Sequence, residues 1–289
     1  MTGVRVLVLG AGGQVGRALW AALPDATALD RSAFDVAAPP PGFDWGAHDV
    51  VVNAAALTDV DGAESRVADA WRANATGPAE LARAAREHGC VLVHLSTEYV
   101  FDGTADRPYR EDDAVAPLSV YGASKAAGDL AVRGVERHYL LRPTWVVGEG
   151  RNFVRTMLGL AARGIAPTVV DDQVGRPTFA VDLAAAIVHL VGSRAPFGTY
   201  HVTGGGEPAS WADVARAVFA AAGRTDLVVT GTSTAEYFAD KPHAARRPLN
   251  SVLDLGRATA AGVALPDWRE RLRAHVAGGQ RNDEAISIT

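Results

Sequence analysis

Tyr121 and Lys125 stand four residues apart in "VYGASKAAGD" (120–129). On a helix of 3.6 residues per turn the two side chains lie one above the other on the same face. An ammonium there favours the phenolate, lowers the pKa of the phenol and makes tyrosine a usable acid and base near neutrality. The chain has 28 lysines and arginines, and only Lys125 and Lys241 are lysine. Arginine is a poor replacement at 125, because its planar fork is larger and stays protonated. Lys241, in "FADKPHAARR", has no comparable setting and reads as a surface charge.

A hydroxyl able to polarise a carbonyl is offered by "VHLSTEYVFDG" (93–103), which closes an apolar run with Ser96 and Thr97. Successive strand side chains point to opposite faces, so only one of the two should join Tyr121. Gly10, Gly13 and Gly16 form G-x-x-G-x-x-G after the apolar run "VRVLVLG" (4–10), with Gln14 and Val15 in the same turn. Glycines there let a pyrophosphate approach backbone N–H groups at the positive end of a helix. Asp30 lies about 20 residues downstream, the position of a ribose-binding carboxylate. Arg31 beside it suits a 2′-phosphate, so this turn leaves the cofactor ambiguous and either NADPH or NADH possible. The plain alternative is a tight turn that only packs helix on strand.

The elements that must position these residues follow from hydrophobic pattern. "DVVVNAA" (49–55), "CVLVHLS" (90–96) and "HYLLRPTWVVG" (138–148) repeat the strand signal of "VRVLVLG", and a long helical stretch over 64–88 separates two of them. Strands alternating with helices predict an α/β fold with a Rossmann-like, doubly wound parallel sheet. Residues 1–150 are expected to form the dinucleotide-binding domain, joined by a helix over 178–194. Residues 151–289 then form mainly a smaller C-terminal α/β substrate lobe, with strand candidates "APTVV", "TYHVTG" and "DLVVTG" and helices at 152–163, 181–192 and 210–222. "AAPPPG" (37–42) reads as a surface loop and "GGQRNDEAISIT" at the end as a loose tail.

A length of 289 residues, 48% hydrophobic and 21% charged, is that of an ordinary globular protein with ample chain to bury a core. The net charge of −5 and the lack of a basic run argue against a nucleic-acid partner. Cys90 is the only cysteine, so no intrachain disulfide can form and a reducing compartment fits. The apolar run near the N-terminus is too short for a membrane span and lacks a cleavage pattern, so the expected location is cytoplasmic, with no membrane partner. The eight histidines are scattered and predict no metal site, and His94 reads as a hydrogen-bonded core residue. The absence of G-x-S-x-G argues against an α/β-hydrolase.

Taken together, "GAGGQVG", "NAAALTDVDGAE", "STEYVFDG", "PLSVYGASKAAGD" and "LRPTWVVGEGRNFV" resemble the extended short-chain dehydrogenase/reductase superfamily, and within it the dTDP-4-dehydrorhamnose reductases. "VVDDQVGRPTFAVDLA", "YHVTGGGEPASWADVARAV" and "RRPLNSVLD" carry the likeness through nearly the whole chain. The resemblance implies NAD(P)H-dependent reduction of the C4 ketone of a dTDP-4-keto-6-deoxysugar, with Thr97, Tyr121 and Lys125 as the catalytic trio. Thr97 is preferred to Ser96 because it holds the family's hydroxyl position before "YVFDG". Asn53, Ala54 and Ala55 would line the cofactor cleft with Tyr121 and Lys125, and Asn74 would support the site from a helix, with a helix-surface amide as its alternative. Glu98, Trp145, Asn152, Phe153, Gln173, Arg176 and Arg247 would bind the nucleotide sugar, the arginines neutralising its diphosphate and Trp145 offering a stacking face.

Glu98 stands where these reductases usually carry aspartate, and Leu57 where tyrosine commonly follows "NAAA". Related sugar-nucleotide dehydratases place Asp-Glu after the threonine. Here Glu98 and Tyr99 occupy those positions, and the missing second carboxylate favours reduction over elimination. Two alternatives remain open: a 4-ketoreductase for another antibiotic deoxysugar, or a non-catalytic regulatory subunit similar to that of methionine adenosyltransferase. A homodimer is also left open, and the acidic Glu270 and Glu284 could join an interface or stay solvated.

Overall fold

The computed structural model describes residues 3–286; residues 287–289, and side chains beyond residue 278 such as that of Glu284, lie outside the description. Unbroken valine and leucine runs form β1 (Val6–Leu9), β3 (Val50–Asn53) and β4 (Val91–Leu95), with β2 (Thr27–Leu29) and β5 (His138–Arg142) completing the first half of the sheet. Such runs carry no polar face because both faces are covered. Val6 and Val8 pack against α1 (Gln14–Ala22) and Leu183, Ile187 and Leu190, while Leu7 and Leu9 pack against Leu81, Ala82 and Ala85 on the other side. From the edge, the order is Gly198–His201, β5, β4, β3, β1, β2, all parallel.

The direction of winding reverses between β1 and β3, and a crevice opens beyond the carboxyl ends of those two strands, where ligands bind in open α/β sheets. The edge strand Gly198–His201 comes from "TYHVTG", which the sequence pattern assigned to the second lobe. Its hydrogen bonding to β5 returns it to the main sheet, and Ala258 and Val263 also pack into that sheet's core.

The helical stretch expected over 64–88 is interrupted. It divides into α2 (Val60–Ser65), α3 (Val67–Trp71), a widened π turn over Arg72–Thr76 and α4 (Gly77–His88). Pro78 has no N–H to give and its ring crowds the carbonyl of residue 74, which accounts for the widened turn. The turn carries Asn74 inward against α5 (Val120–Arg133), where its Nδ2 donates to Ser124 Oγ at 3.1 Å.

A second core lies among α6 (Phe153–Ala162), α8 (Trp211–Ala221) and the helix Trp268–Ile286, built from Val154, Met157, Val214, Val218, Phe219, Trp268 and Leu272. The last helix corrects the expected loose tail, since residues 278–286 continue it. Between α6 and α8 in the chain, α7 (Ala180–Gly192) crosses back to pack on α1. Among the described residues no helix is long and apolar enough to cross a membrane.

Candidate active site

A cavity of about 530 Å³ occupies the crevice at the switch point. Gly10 and Gly13 line it, with Asp30, Arg31, Ala54 and Ala55; so do Gly12, Ser32, Asp35, Leu57, Asp59, Arg66 and Arg72. Gly10 has φ +83, and a Cβ there would stand 2.6 Å from Ala55 N. A Cβ on Gly16 would fall 2.1 Å from the Gly10 carbonyl oxygen, so α1 reaches the turn only with glycine at that position. Gly13 caps α1 with no side-chain hydrogen bond, which leaves N–H groups at the start of that helix facing the crevice for an anion. These residues fit a dinucleotide pyrophosphate.

The rest of the expected cofactor set is placed behind this lining. Val15 is in the core of the sheet. Gln14 Oε1 accepts from Gly148 N at 2.7 Å and from Asn152 Nδ2 at 3.4 Å, tying α1 to the start of α6. Asn53 is buried, receives Ala55 N at 3.1 Å and meets His94 Nδ1 at 3.0 Å, so it shapes the turn after β3 instead of lining the cavity. At the far end Asp30 Oδ1 accepts from Ser32 Oγ at 2.6 Å and Ser32 N at 2.9 Å, and these bonds hold its carboxyl below the usual range. The Asp35–Arg72 ion pair on the cavity wall gave no sequence signal, because each residue alone reads as surface charge.

Ser119 caps α5 through its side chain, and the helix then presents Tyr121 and Lys125 inward, 7% and 1% exposed. Tyr121 packs with Leu57, Val60 and Tyr99, and Leu57 also borders the cavity. Lys125 Nζ donates to the Leu95 carbonyl at 2.5 Å and lies 3.4 Å from His94 Nε2. Burial pulls the lysine down to about 8, opposed by the negative charge of Asp129. His94 is held well below its ordinary value by burial and by Lys125.

The expectation that Lys125 lowers the pKa of Tyr121 is reversed. Burial pushes the phenol up, and the Glu98 charge adds to the rise. The ammonium is engaged with the end of β4 instead. Ser96 and Thr97 do separate as strand geometry requires. The Thr97 hydroxyl pairs with Glu98, while the buried Ser96 hydroxyl is left without a partner. Thr97 Oγ1 donates to Glu98 Oε2 at 2.7 Å and accepts from Tyr99 N at 3.2 Å.

The residues expected around the sugar nucleotide are dispersed. Trp145, Asn152 and Phe153 line a second cavity of about 100 Å³ with Gln14 and Trp211. Trp145 adopts a left-handed backbone, φ 44, and one face of its indole is covered by Trp211 at a centroid distance of 3.8 Å. A side chain held in that region marks a constrained position. Gln173 is buried and donates to Thr234 Oγ1 at 3.0 Å. Arg176 is spent on backbone, donating to the carbonyls of Gly206 at 2.8 Å and Leu253 at 3.1 Å. Arg247 pairs with Asp61 at 2.7 Å and stacks over Phe238. Among the described residues no group of three or more histidine, cysteine, aspartate or glutamate side chains could hold a metal ion.

Residues 4–280 match the family model described as the RmlD substrate binding domain. The chain is 40% identical to dTDP-4-dehydrorhamnose reductase of Aggregatibacter actinomycetemcomitans, over 93% of this chain and 97% of that protein. A crystal structure of a dTDP-4-dehydrorhamnose reductase from Clostridium acetobutylicum superposes with a TM-score of 0.88 at 34% identity, covering 96% of this chain and all (100%) of that one. The Bacillus anthracis dTDP-4-dehydrorhamnose reductase, solved in complex with NADP, gives a TM-score of 0.84 at 32% identity over 94% and 98% of the two chains. With the fold, the glycine turn and the Thr97–Tyr121–Lys125 arrangement in place, these likenesses assign the chain to the dTDP-4-dehydrorhamnose reductase family.

Proposed function

We propose that this chain reduces the C4 ketone of dTDP-4-dehydro-L-rhamnose to dTDP-L-rhamnose, using NADPH in preference to NADH. The observation that carries the reading is one buried site. Thr97 and Tyr121 are both buried there, Lys125 is sealed at the end of β4, and Leu57 links the tyrosine to the dinucleotide-sized cavity. Residues 1–150, joined by 180–202 and 256–263, serve the dinucleotide, and the lobe built around α6 and α8 serves the sugar nucleotide.

A bound nicotinamide dinucleotide supplies the hydride. The Gly10–Gly13 turn would hold its pyrophosphate, and Asp30 and Arg31 its ribose end. Tyr121 Oη donates its proton to the substrate oxygen as negative charge develops there. A phenol pushed above its ordinary pKa is fully protonated at neutral pH, which is the form an acid needs. The Thr97 hydroxyl steadies the same oxygen by hydrogen bonding. Lys125, lying under the tyrosine, places a positive charge at the floor of the site.

The test is oxidation of NADPH and NADH followed with enzymatically prepared dTDP-4-dehydro-L-rhamnose, with the product sugar identified. Tyr121→Phe should lower turnover by about 10²-fold or more, with nucleotide-sugar binding kept. Oxidation driven only by a different 4-keto sugar nucleotide would reassign the substrate. Failure with all of them would favour a binding role.

A further inference from the structure

Gly13 and Gln14 are neighbours in the chain, yet they line different cavities. Gly13 borders the large one, and Gln14 borders the small one beside Trp145, Asn152, Phe153 and Trp211. A single peptide bond at the start of α1 therefore separates the dinucleotide-sized crevice from an aromatic recess walled by the second lobe.

The Gln14 amide oxygen is committed to the segment that follows Trp145. Gly148 N donates to it at 2.7 Å and Asn152 Nδ2 at 3.4 Å, and the shorter bond carries the tie. Asn152 closes the same segment, donating Nδ2 to the Gly148 carbonyl at 2.7 Å and accepting Arg155 N on Oδ1 at 2.9 Å, which caps α6. Glu149, Gly150 and Arg151 between them are exposed, so the two ends of the loop set its course. The approach is close. A Cβ on Gly148 would stand 3.0 Å from Gln14 Cβ and 2.8 Å from Ala180 Cβ, which leaves the segment no slack against α1. Arg17 and Glu149 join the same helix to the same loop at 3.7 Å, but both side chains are mostly exposed and water screens the pair.

Resting on the reductase reading above, we propose that Gln14 is a positioning residue for the nucleotide sugar, and that through it a dinucleotide in the large cavity and a nucleotide sugar in the second lobe each strengthen the binding of the other. With a pyrophosphate on the glycine turn, the Gly13–Gln14 peptide and the first turn of α1 are fixed. The Gln14 oxygen extends that constraint to Gly148 and Asn152. These residues set Trp145, three positions before the one, and Phe153, directly after the other. Both rings pack on Trp211, at centroid distances of 3.8 and 4.6 Å, so the wall of the recess is ordered as a unit. A second ligand that meets an ordered wall loses less freedom on binding, and linkage makes the effect mutual. Methionine at 14 would keep the length of the side chain without its acceptor, whereas glutamate would keep an oxygen for Gly148 N.

The deciding experiment measures the Kd of dTDP-L-rhamnose on the full chain by calorimetry, alone and with saturating NADPH. No turnover intervenes, because this sugar is already reduced. In wild type NADPH should lower the Kd by about 10-fold. In Gln14→Met the ratio of the two Kd values should fall to within about 2-fold of unity, and Gln14→Glu should restore it. The ratio is formed within each variant, so a change in affinity for either ligand alone does not enter it. Gly148→Ala, which pushes the segment off Gln14, should lower the ratio likewise and keeps the test open should Gln14→Met not fold. A wild-type ratio of unity overturns the proposal without any variant. So does a Gln14→Met or Gly148→Ala chain that keeps the wild-type ratio, whatever its separate affinities, which would make Gln14 a packing residue. Absence of dTDP-L-rhamnose binding in both conditions would overturn the reductase reading itself, and it is told apart from lost coupling because the Kd without NADPH would then be missing.

Discussion

Asp129 lies one helical turn beyond Lys125 and receives Arg142 Nε and Nη2 on the same oxygen, Oδ2, each at 3.2 Å. Both partners of this ion pair are sealed from solvent, and Asp129 Oδ1 has no partner among the protein atoms. The carboxylate is therefore shared. It neutralises a buried guanidinium on β5 and opposes the desolvation that pulls Lys125 down to about 8. The charge of Lys125 is thus supported by a carboxylate that does not line the large cavity.

Asp129→Asn should accordingly do two things at once. Leaving Arg142 buried without its anion should cost about 3–5 kcal/mol of stability, read as a lower denaturant midpoint. With its counter-charge gone, Lys125 should lose its proton at lower pH, moving the alkaline limb of the rate profile toward neutrality. An alkaline limb left in place would show that Asp129 serves the fold alone.

Lys125→Arg tests why this arginine-rich chain has lysine at this position. The space around Nζ is closed, and the Leu95 carbonyl and His94 Nε2 are the two acceptors it offers. A guanidinium brings five donors and a larger plane. Overpacking of this kind costs about 1–3 kcal/mol, and the displaced α5 should carry Tyr121 with it. The expected result is a fall in kcat of about 10-fold or more, since small misplacements of reacting groups lose that much. An unchanged kcat would make the lysine incidental.

The helix-spaced pair Tyr121/Lys125 was legible because both residues sit on one element, where spacing fixes the shared face. The strands β1, β3 and β4 were legible for the same reason, since runs of valine and leucine leave no choice of face. What escaped the sequence depends on contacts between distant segments. Arg247 read as an anion-binding residue, yet its partner is Asp61, 186 positions away. Arg176 likewise meets carbonyls of Gly206 and Leu253 that no local pattern announces. The rise in the Tyr121 pKa was hidden because its causes, burial first and then the Glu98 charge, come from segments that only the fold brings around the phenol.

Glu98 also leaves a signature on stability. The folded chain holds its proton up to about 7, whereas the unfolded chain releases it near the ordinary 4.5. Between those values the folded state binds more protons than the unfolded, so stability falls as pH rises. The shift corresponds to about 3 kcal/mol. Glu98→Gln has no such titration, and its melting temperature relative to wild type should climb from pH 4.5 to pH 7 and then level off. A difference independent of pH would mean that Glu98 is not held protonated by its burial.

On the proposed function, cofactor choice would rest on the rim of the large cavity. Asp30 has one carboxylate oxygen committed to the Ser32 and Ala33 turn, so it is fixed in place to meet a ribose hydroxyl through the other. Arg31 projects from the same turn, and among the described residues it forms no ion pair, so its guanidinium is free for a 2′-phosphate. Arg72 lines the same wall but is held by Asp35, and a phosphate would have to share it. Arg31→Ala should therefore raise KM for NADPH by about 10-fold or more, the worth of a charge-assisted hydrogen bond, and leave KM for NADH within about 2-fold. Arg72→Ala should act in the same direction more weakly. Equal losses with both cofactors on removing Arg31 would place its contact on a part of the dinucleotide common to the two, and the preference for NADPH would then have to arise elsewhere along the cavity.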